Sequence, residues 1–194
     1  MNFFKKLFSK GDKKENTAES DKDKVEVFTQ EYFDNRYTKE DIRSYDKVLD
    51  GSLKLIESFF LDFKLNRVVE SPVNHPLNMD QTFDQLINFK MYCNGFKLDN
   101  DSVTMALSIA FSDFLIQKYG FELYKDKTPE SPMRALTLKY DKDNIVLSIY
   151  PYEYSAKVMA LQATYEDLEN KIKDKLEILP QYSEKVNEIL GKED

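Results

Sequence analysis

The segment from Asn100 to Gly120 constrains the fold of this 194-residue chain more than any other. Apolar residues lie on nearly all sides of a helix drawn through it, from Val103 to Ile116, and Gly120 is a typical helix stop. A helix that is apolar nearly all round must be buried on most sides. We therefore predict that this helix begins at Asn100 or Asp101 and lies at the centre of a domain.

Helical periodicity also precedes this segment. Thr38 and Asp41 resemble a capping box, and apolar residues then recur with a helical period as far as Phe63. Gly51 predicts a bend or a break in that helix. Two prolines make 70–80 a loop, and a second helix is predicted over 80–94.

After Gly120 the apolar period changes from 3.6 to 2, which indicates strands. We predict strands at 121–125, 133–140 and 145–150, the last two joined by a tight polar turn at 141–144. A long helix over 154–179 follows, ended by Pro180, with a short helix over 181–190. The order predicts an α+β fold: N-terminal helices, a three-stranded antiparallel sheet and C-terminal helices, with one layer of helices packed on the sheet.

Residues 1–24 differ in composition from the rest. Residues 9–24 are mostly Lys, Asp, Glu, Ser and Asn, which predicts a flexible charged tail before a single domain over 25–194. At its start the tail is amphipathic if helical, because the apolar residues fall on one face and lysines flank them. The apolar residues are Phe3, Phe4, Leu7 and Phe8.

The charge and cysteine content exclude some functions. The formal net charge is -7 and the few arginines do not cluster, which argues against specific nucleic-acid binding. A single cysteine, Cys93, precludes an intramolecular disulfide and fits a reducing compartment. Because no apolar run resembles a secretory signal or a membrane span, we expect a cytoplasmic protein.

Residues that could carry catalysis or bind metal are few. A nucleophilic pair could only join Cys93 to His75, and a cysteine near a helix C-terminus is poorly placed to ionise. The acidic stretches 99–101 and 141–144 lack the glycine and glutamate pattern of a calcium loop; Asp101 is interpreted as a helix cap and 141–144 as a turn. The five glycines are scattered, so no phosphate-binding loop is predicted. We assign no catalytic, cofactor or metal residue.

A resemblance covers residues 102–176. The helix ending Tyr119-Gly120, the strand Phe121-Glu122-Leu123, a hairpin, Tyr150-Pro151 and Lys157 on the next helix follow one another here. In this order they resemble a bacterial domain-of-unknown-function family. The resemblance implies a fold and carries no activity or catalytic residue with it.

Two groups of residues are candidates for binding a partner protein. One is the tail group Phe3, Phe4, Leu7 and Phe8, which could instead be disordered or pack back on the domain. The other is Tyr150, Tyr152 and Tyr154, for which filling the seam between sheet and helix is the favoured interpretation. The leading hypothesis is a non-enzymatic regulatory or immunity-like protein that binds a protein partner. The alternatives are a carboxylate-dependent hydrolase, and a peripheral membrane protein held weakly by residues 1–8. The sequence leaves the oligomeric state open.

Overall fold

The computed structural model describes residues 25–27, 29–65, 68–83, 88–142 and 145–190. The residues named in the tail group lie outside these ranges. The helices are α1 (Gln30–Arg36), α2 (Asp46–Asp62), α3 (Phe89–Gly95), α4 (Asn100–Tyr119), α5 (Pro151–Met159) and α6 (Tyr165–Leu190). The strands are β1 (Val25–Val27), β2 (Tyr37–Lys39), β3 (Glu122–Asp126), β4 (Leu136–Lys142) and β5 (Ile145–Ile149).

The strands form one antiparallel sheet in the order β1-β5-β4-β3-β2. The mixed α+β class is confirmed. The prediction of three strands was wrong, because those three are only the centre of the sheet. The two edge strands have three residues each, which is too short for a period of 2 to be visible in a sequence.

Helix α4 lies at the centre of the domain, as predicted. Val103 and Leu115 are fully buried, and α2 and α5 pack against this helix. Its N-cap is Asp99, whose carboxylate accepts the backbone N–H of Ser102 at 2.8 Å; the assignment of Asp101 as the cap was wrong. At the other end Gly120 adopts the left-handed conformation, with φ of 75°.

Helix α1 covers part of the sheet face opposite the main core. Phe33 from α1 packs with Tyr37, Val146 and Tyr124 in a separate cluster. Tyr124 alternates along β3 with Leu123, which faces the main core. The prediction of a single helix layer therefore left out this second, smaller layer.

The helix predicted to start at Thr38 begins later, as α2 at Asp46. Thr38 lies in β2, and Asp41 caps a 3-10 turn (Ile42–Tyr45) by accepting the backbone N–H of Arg43 at 2.9 Å. Helix α2 then runs through Gly51 without a break. In the region predicted as helix 80–94, a 3-10 helix (Pro76–Gln81) occupies the start, and α3 begins only at Phe89, capped by Asn88.

The single C-terminal helix predicted over 154–179 is two helices. Helix α5 starts at Pro151 and ends at Met159, and Leu161 in the following turn has φ of 58°. Helix α6 then continues through Pro180, so the separate helix predicted over 181–190 is its last part. Pro180 removes one backbone donor, while buried Leu179 and Ser183 hold the helix on both sides of it. None of the described helices combines the length and apolarity needed to cross a bilayer.

Candidate partner-binding groove

A groove of about 640 Å³ opens between the first turns of α4, helix α5 and the 3-10 turn (Pro132–Arg134) that leads into β4. Apolar side chains from all three elements line it. They include Met105, Met133, Leu136, Tyr152, Ala156 and Met159. We call it the methionine groove. Its size is that of a site for a few side chains of a partner.

Three methionines give the groove its apolar surface. Met133 is 37% exposed, whereas Met105 and Met159 are partly buried and pack against the main core. The Thr104 hydroxyl contacts the Met159 sulfur at 3.2 Å, which ties α4 to α5 beneath the groove. Methionine side chains are flexible and polarisable, so such a surface adapts to apolar partners of varied shape.

The lining of the groove includes the carboxylate of Asp101. Asp99, the N-cap of α4, lies two residues before it, and its carboxylate accepts the Ser102 N–H. Hydrogen bonds from Ser102 lower the pKa of Asp99, so this carboxylate stays charged. The Tyr152 hydroxyl donates to an Asp101 carboxylate oxygen at 3.2 Å, and burial raises the pKa of Tyr152. Lys90 lies on the rim and carries the opposite charge.

A second hollow of about 560 Å³ adjoins the groove and shares Met133 and Ala156 with it. Its charged side chains are paired with one another. Arg134 forms ion pairs with Glu153 at 2.5 Å and Glu130 at 2.9 Å, and Lys157 lies 3.1 Å from Glu153. The hydrogen bond from Arg134 holds the pKa of Glu153 below its ordinary value. This hollow therefore adds little net charge to the apolar groove.

The structure separates the three candidate tyrosines. Tyr152 lines the groove. The guanidinium of Arg134 covers the Tyr150 ring at 4.7 Å from its centroid. The hydroxyl of Tyr154 donates to the Thr164 carbonyl at 2.9 Å and its ring packs against the main core, as expected for a seam residue.

The structure also places the residues considered for catalysis. Cys93 is fully buried, and burial raises the pKa of its thiol to about 12, so the thiolate is strongly disfavoured. Burial lowers the pKa of His75, and its Nδ1 accepts the backbone N–H of Leu77 at 3.2 Å. Within the described ranges, no three His, Cys, Asp or Glu side chains come together as a metal site requires.

Asp80 has the property expected of a general acid. Burial raises the pKa of its carboxyl to about 6, and a hollow of about 250 Å³ lies beside it. Both of its oxygens, however, accept backbone N–H groups at the start of α6, from Tyr165 at 2.7 Å and Glu166 at 2.9 Å. The geometry is that of a helix cap supplied from a distant part of the chain.

Sequence patterns missed the groove because its methionines are far apart. Met105, Met133 and Met159 belong to a helix, a 3-10 turn and another helix, so no local spacing relates them. The one signal that reached the groove was the tyrosine run at 150–154.

No family model, curated protein or solved structure matches this chain.

Proposed function

We propose that this protein is a non-enzymatic cytoplasmic binding protein, of a regulatory or immunity type, which takes an amphipathic lysine-bearing helix of a partner protein in the methionine groove. The observation that carries the proposal is the combination of an adaptable apolar lining with the carboxylate of Asp101. Helices that dock in grooves do so through apolar side chains spaced three and four residues apart. The net charge of -7 further favours a cationic partner, because it raises the rate of encounter.

The lining of the groove offers contacts for both the apolar and the charged side chains of such a helix. Apolar side chains of the helix would contact Met105, Met133 and Met159, and thioethers interact favourably with both aliphatic and aromatic groups. A lysine on the flank of the helix would reach Asp101, the carboxylate in the lining of the groove.

The six methionines of the chain provide the test. The probe is a short helical peptide with leucine on one face and lysine on the other, added to protein labelled with ¹³C at the methionine methyl groups. We expect the signals of Met105, Met133 and Met159 to shift. Met79, which is fully buried, and Met91, which is exposed but does not line the groove, are internal controls.

Two further samples make the result specific. A peptide of the same length with glutamate in place of lysine is expected to bind about tenfold more weakly, because it is repelled by Asp101 and by the net charge of -7. The variant Met133→Glu places a charge on the apolar floor and is expected to weaken the lysine peptide by a similar factor. Shifts at Met91 alone, or equal binding of both peptides, would contradict the proposal.

Asp80, with its raised pKa, is the described carboxylate that best fits the hydrolase alternative, and the membrane alternative uses residues 1–8. Asp80→Asn is expected to leave peptide binding unchanged, since Asp80 does not line the methionine groove. This variant therefore distinguishes a site at Asp80 from peptide binding in the methionine groove.

A further inference from the structure

We propose that the methionine groove is regulated from within the same chain: residues 3–8 of the tail occupy it and compete with the partner helix. The inference rests on the proposed function of the groove. It follows from the direction in which the chain enters the sheet, the length of chain available and the chemistry of the two surfaces.

The register of the sheet brings the tail to the correct end of the domain. β1 is antiparallel to β5, with Val25 opposite Leu147 and Val27 opposite Ile145. The chain on the N-terminal side of Val25 therefore starts towards Ile149, the end of β5 at which α5 begins. Helix α5 supplies Tyr152, Ala156 and Met159 to the groove.

A second register fixes the other wall at the same end. Leu138 of β4 is opposite Ile149, so Leu136, which lies two residues earlier, is beside the start of α5. Leu136 and the preceding 3-10 turn form the wall of the groove that faces α5. The tail thus joins the sheet at the end where the groove opens.

The connecting chain is long enough. Sixteen residues, 9–24, lie between Phe8 and Val25. Such a chain spans at most about 55 Å, whereas α4, with 20 residues, is about 30 Å long. A tethered ligand of this reach has an effective concentration in the millimolar range, so even a weak contact would compete with a partner.

The tail also carries the two features that the groove selects. Phe3, Phe4, Leu7 and Phe8 are apolar, and aromatic rings are good partners for the thioethers of Met105, Met133 and Met159. Lys5, Lys6 and Lys10 have the charge that complements Asp101. These lysines lie within the most apolar part of the tail, whereas residues 11–24 mix both signs.

The first experiment uses the full chain and a variant with four substitutions, Phe3→Ser, Phe4→Ser, Leu7→Ser and Phe8→Ser. We expect the lysine peptide to bind this variant about fivefold more tightly than the wild type, because the internal competitor is removed. Met133→Glu in each background is the matched control, since it should weaken peptide binding in both.

The second experiment locates the tail directly. Ser9→Cys introduces a thiol for a nitroxide label, and Cys93 should stay unlabelled because it is fully buried. We expect the label to broaden the methyl signals of Met133 and Met159, and the broadening to disappear when the four serine substitutions are added. A mixture of labelled chains without ¹³C and unlabelled chains with ¹³C should show no broadening.

The outcomes are distinct. If the wild type and the four-serine variant bind the peptide equally and no broadening is seen, residues 3–8 do not occupy the groove and the proposal is overturned. In that case, weaker peptide binding by Met133→Glu would still support the proposed function. Broadening in the mixed sample would assign the tail to a second copy and overturn the proposal as stated. Tail-dependent binding to anionic vesicles that is equal in the wild type and Met133→Glu, without broadening, would overturn it in favour of a membrane contact. If the peptide binds none of the variants, the proposed function fails.

Discussion

The carboxylate of Asp80 accepts the backbone N–H of Tyr165 at 2.7 Å, although 85 positions separate the two residues. The other carboxylate oxygen accepts the N–H of Glu166 at 2.9 Å, so one side chain satisfies two of the unpaired donors at the start of α6. Below them the Tyr165 ring is fully buried and its hydroxyl hydrogen-bonds to Ser155 at 2.8 Å. The 3-10 helix (Pro76–Gln81), which carries Asp80, is therefore bound to the start of α6.

The burial of Asp80 predicts a pH dependence of stability, because its effect on the pKa outweighs the opposite effect of the two backbone hydrogen bonds. Burial raises the pKa of Asp80 to about 6, above its ordinary value near 3.8. Between pH 4 and 6 the folded state therefore binds more protons than the unfolded state. The stabilising contribution of protonated Asp80 is full below about pH 4 and is lost as pH rises through about 6. This rise in the pKa of Asp80 corresponds to a change of a few kcal/mol at most in the free energy of unfolding, on the order of 1.4 kcal/mol for each pKa unit.

Urea unfolding of the wild type and Asp80→Asn across pH 4.5 to 7.5 measures it. At low pH both proteins carry a neutral side chain at this position, so the wild type should lose stability relative to Asp80→Asn as pH rises through about 6. The comparison removes the opposite contribution of His75, whose pKa is lowered. Asp174→Asn, which changes an exposed carboxylate further along the same helix, serves as the control. A pH-independent difference would show that Asp80 does not titrate in this range.

The ion pair between Arg36 and Asp126 predicts a large effect of a small change. Arg36 reaches Asp126 at 2.8 Å and joins α1 to β3, and the Asp126 side chain is only 3% exposed. Asp126→Asn keeps the shape and removes the charge, so the guanidinium loses its partner in a mostly dry setting. We expect a loss of about 2 kcal/mol in the free energy of unfolding.

The exposed pair of Lys54 and Asp50 on α2 is the matched control. Its atoms are also close, at 2.7 Å, but both side chains are more than 60% exposed. Asp50→Asn should cost less than about 0.5 kcal/mol. Similar losses for the two variants would mean that burial does not strengthen the first pair.

Alanine substitutions at two glycines should change the free energy of unfolding in opposite directions. Gly120 has φ of 75°, where an L residue is strained, so Gly120→Ala should lower the free energy of unfolding by about 1 kcal/mol. Gly51 lies within α2, and nothing is within 4 Å of the position a Cβ would take. Gly51→Ala should therefore raise it by about 0.5–1 kcal/mol. Thermal unfolding of both variants checks the pair, and a shift of the same sign in each would contradict the assigned backbone conformations.

The central helix and the inner strands were predictable because their signals are local. In α4 the apolar run and Gly120 occupy consecutive positions, and the hairpin strands alternate clearly. The edge strands were not predictable, because three residues contain too little of a repeat. They pair with β5 and β3 from a distant part of the chain.

The boundary between α5 and α6 shows the same limit. Residues 154–179 have the composition of one helix, yet α6 starts after Thr164, whose hydroxyl accepts the Asp167 N–H at 3.1 Å, and the N–H groups of Tyr165 and Glu166 are capped by Asp80. The groove is harder still to predict, since Met105, Met133 and Met159 meet only after α4, α5 and the 3-10 turn have packed. Long-range contacts of this kind have no counterpart in local spacing.

Tyr152 and Tyr154 offer the sharpest contrast for testing the groove, because they are two residues apart and the structure gives them different roles. Tyr152 contributes its ring to the groove, and its hydroxyl donates to Asp101 at 3.2 Å. Tyr154 donates to the Thr164 carbonyl at 2.9 Å, inside the seam. Tyr152→Ala should weaken the lysine peptide by about tenfold, since it removes an aromatic wall of the site.

The conservative variants separate ring from hydroxyl. Tyr152→Phe keeps the wall and leaves Asp101 free for a lysine, so peptide affinity should stay equal or increase. Tyr154→Phe loses a hydrogen bond and should cost about 1 kcal/mol of stability with no change in peptide affinity. Calorimetric titration and urea unfolding of the three variants measure both quantities. If Tyr154→Phe weakened the peptide while Tyr152→Ala did not, the binding surface would lie in the seam and the groove assignment would be wrong.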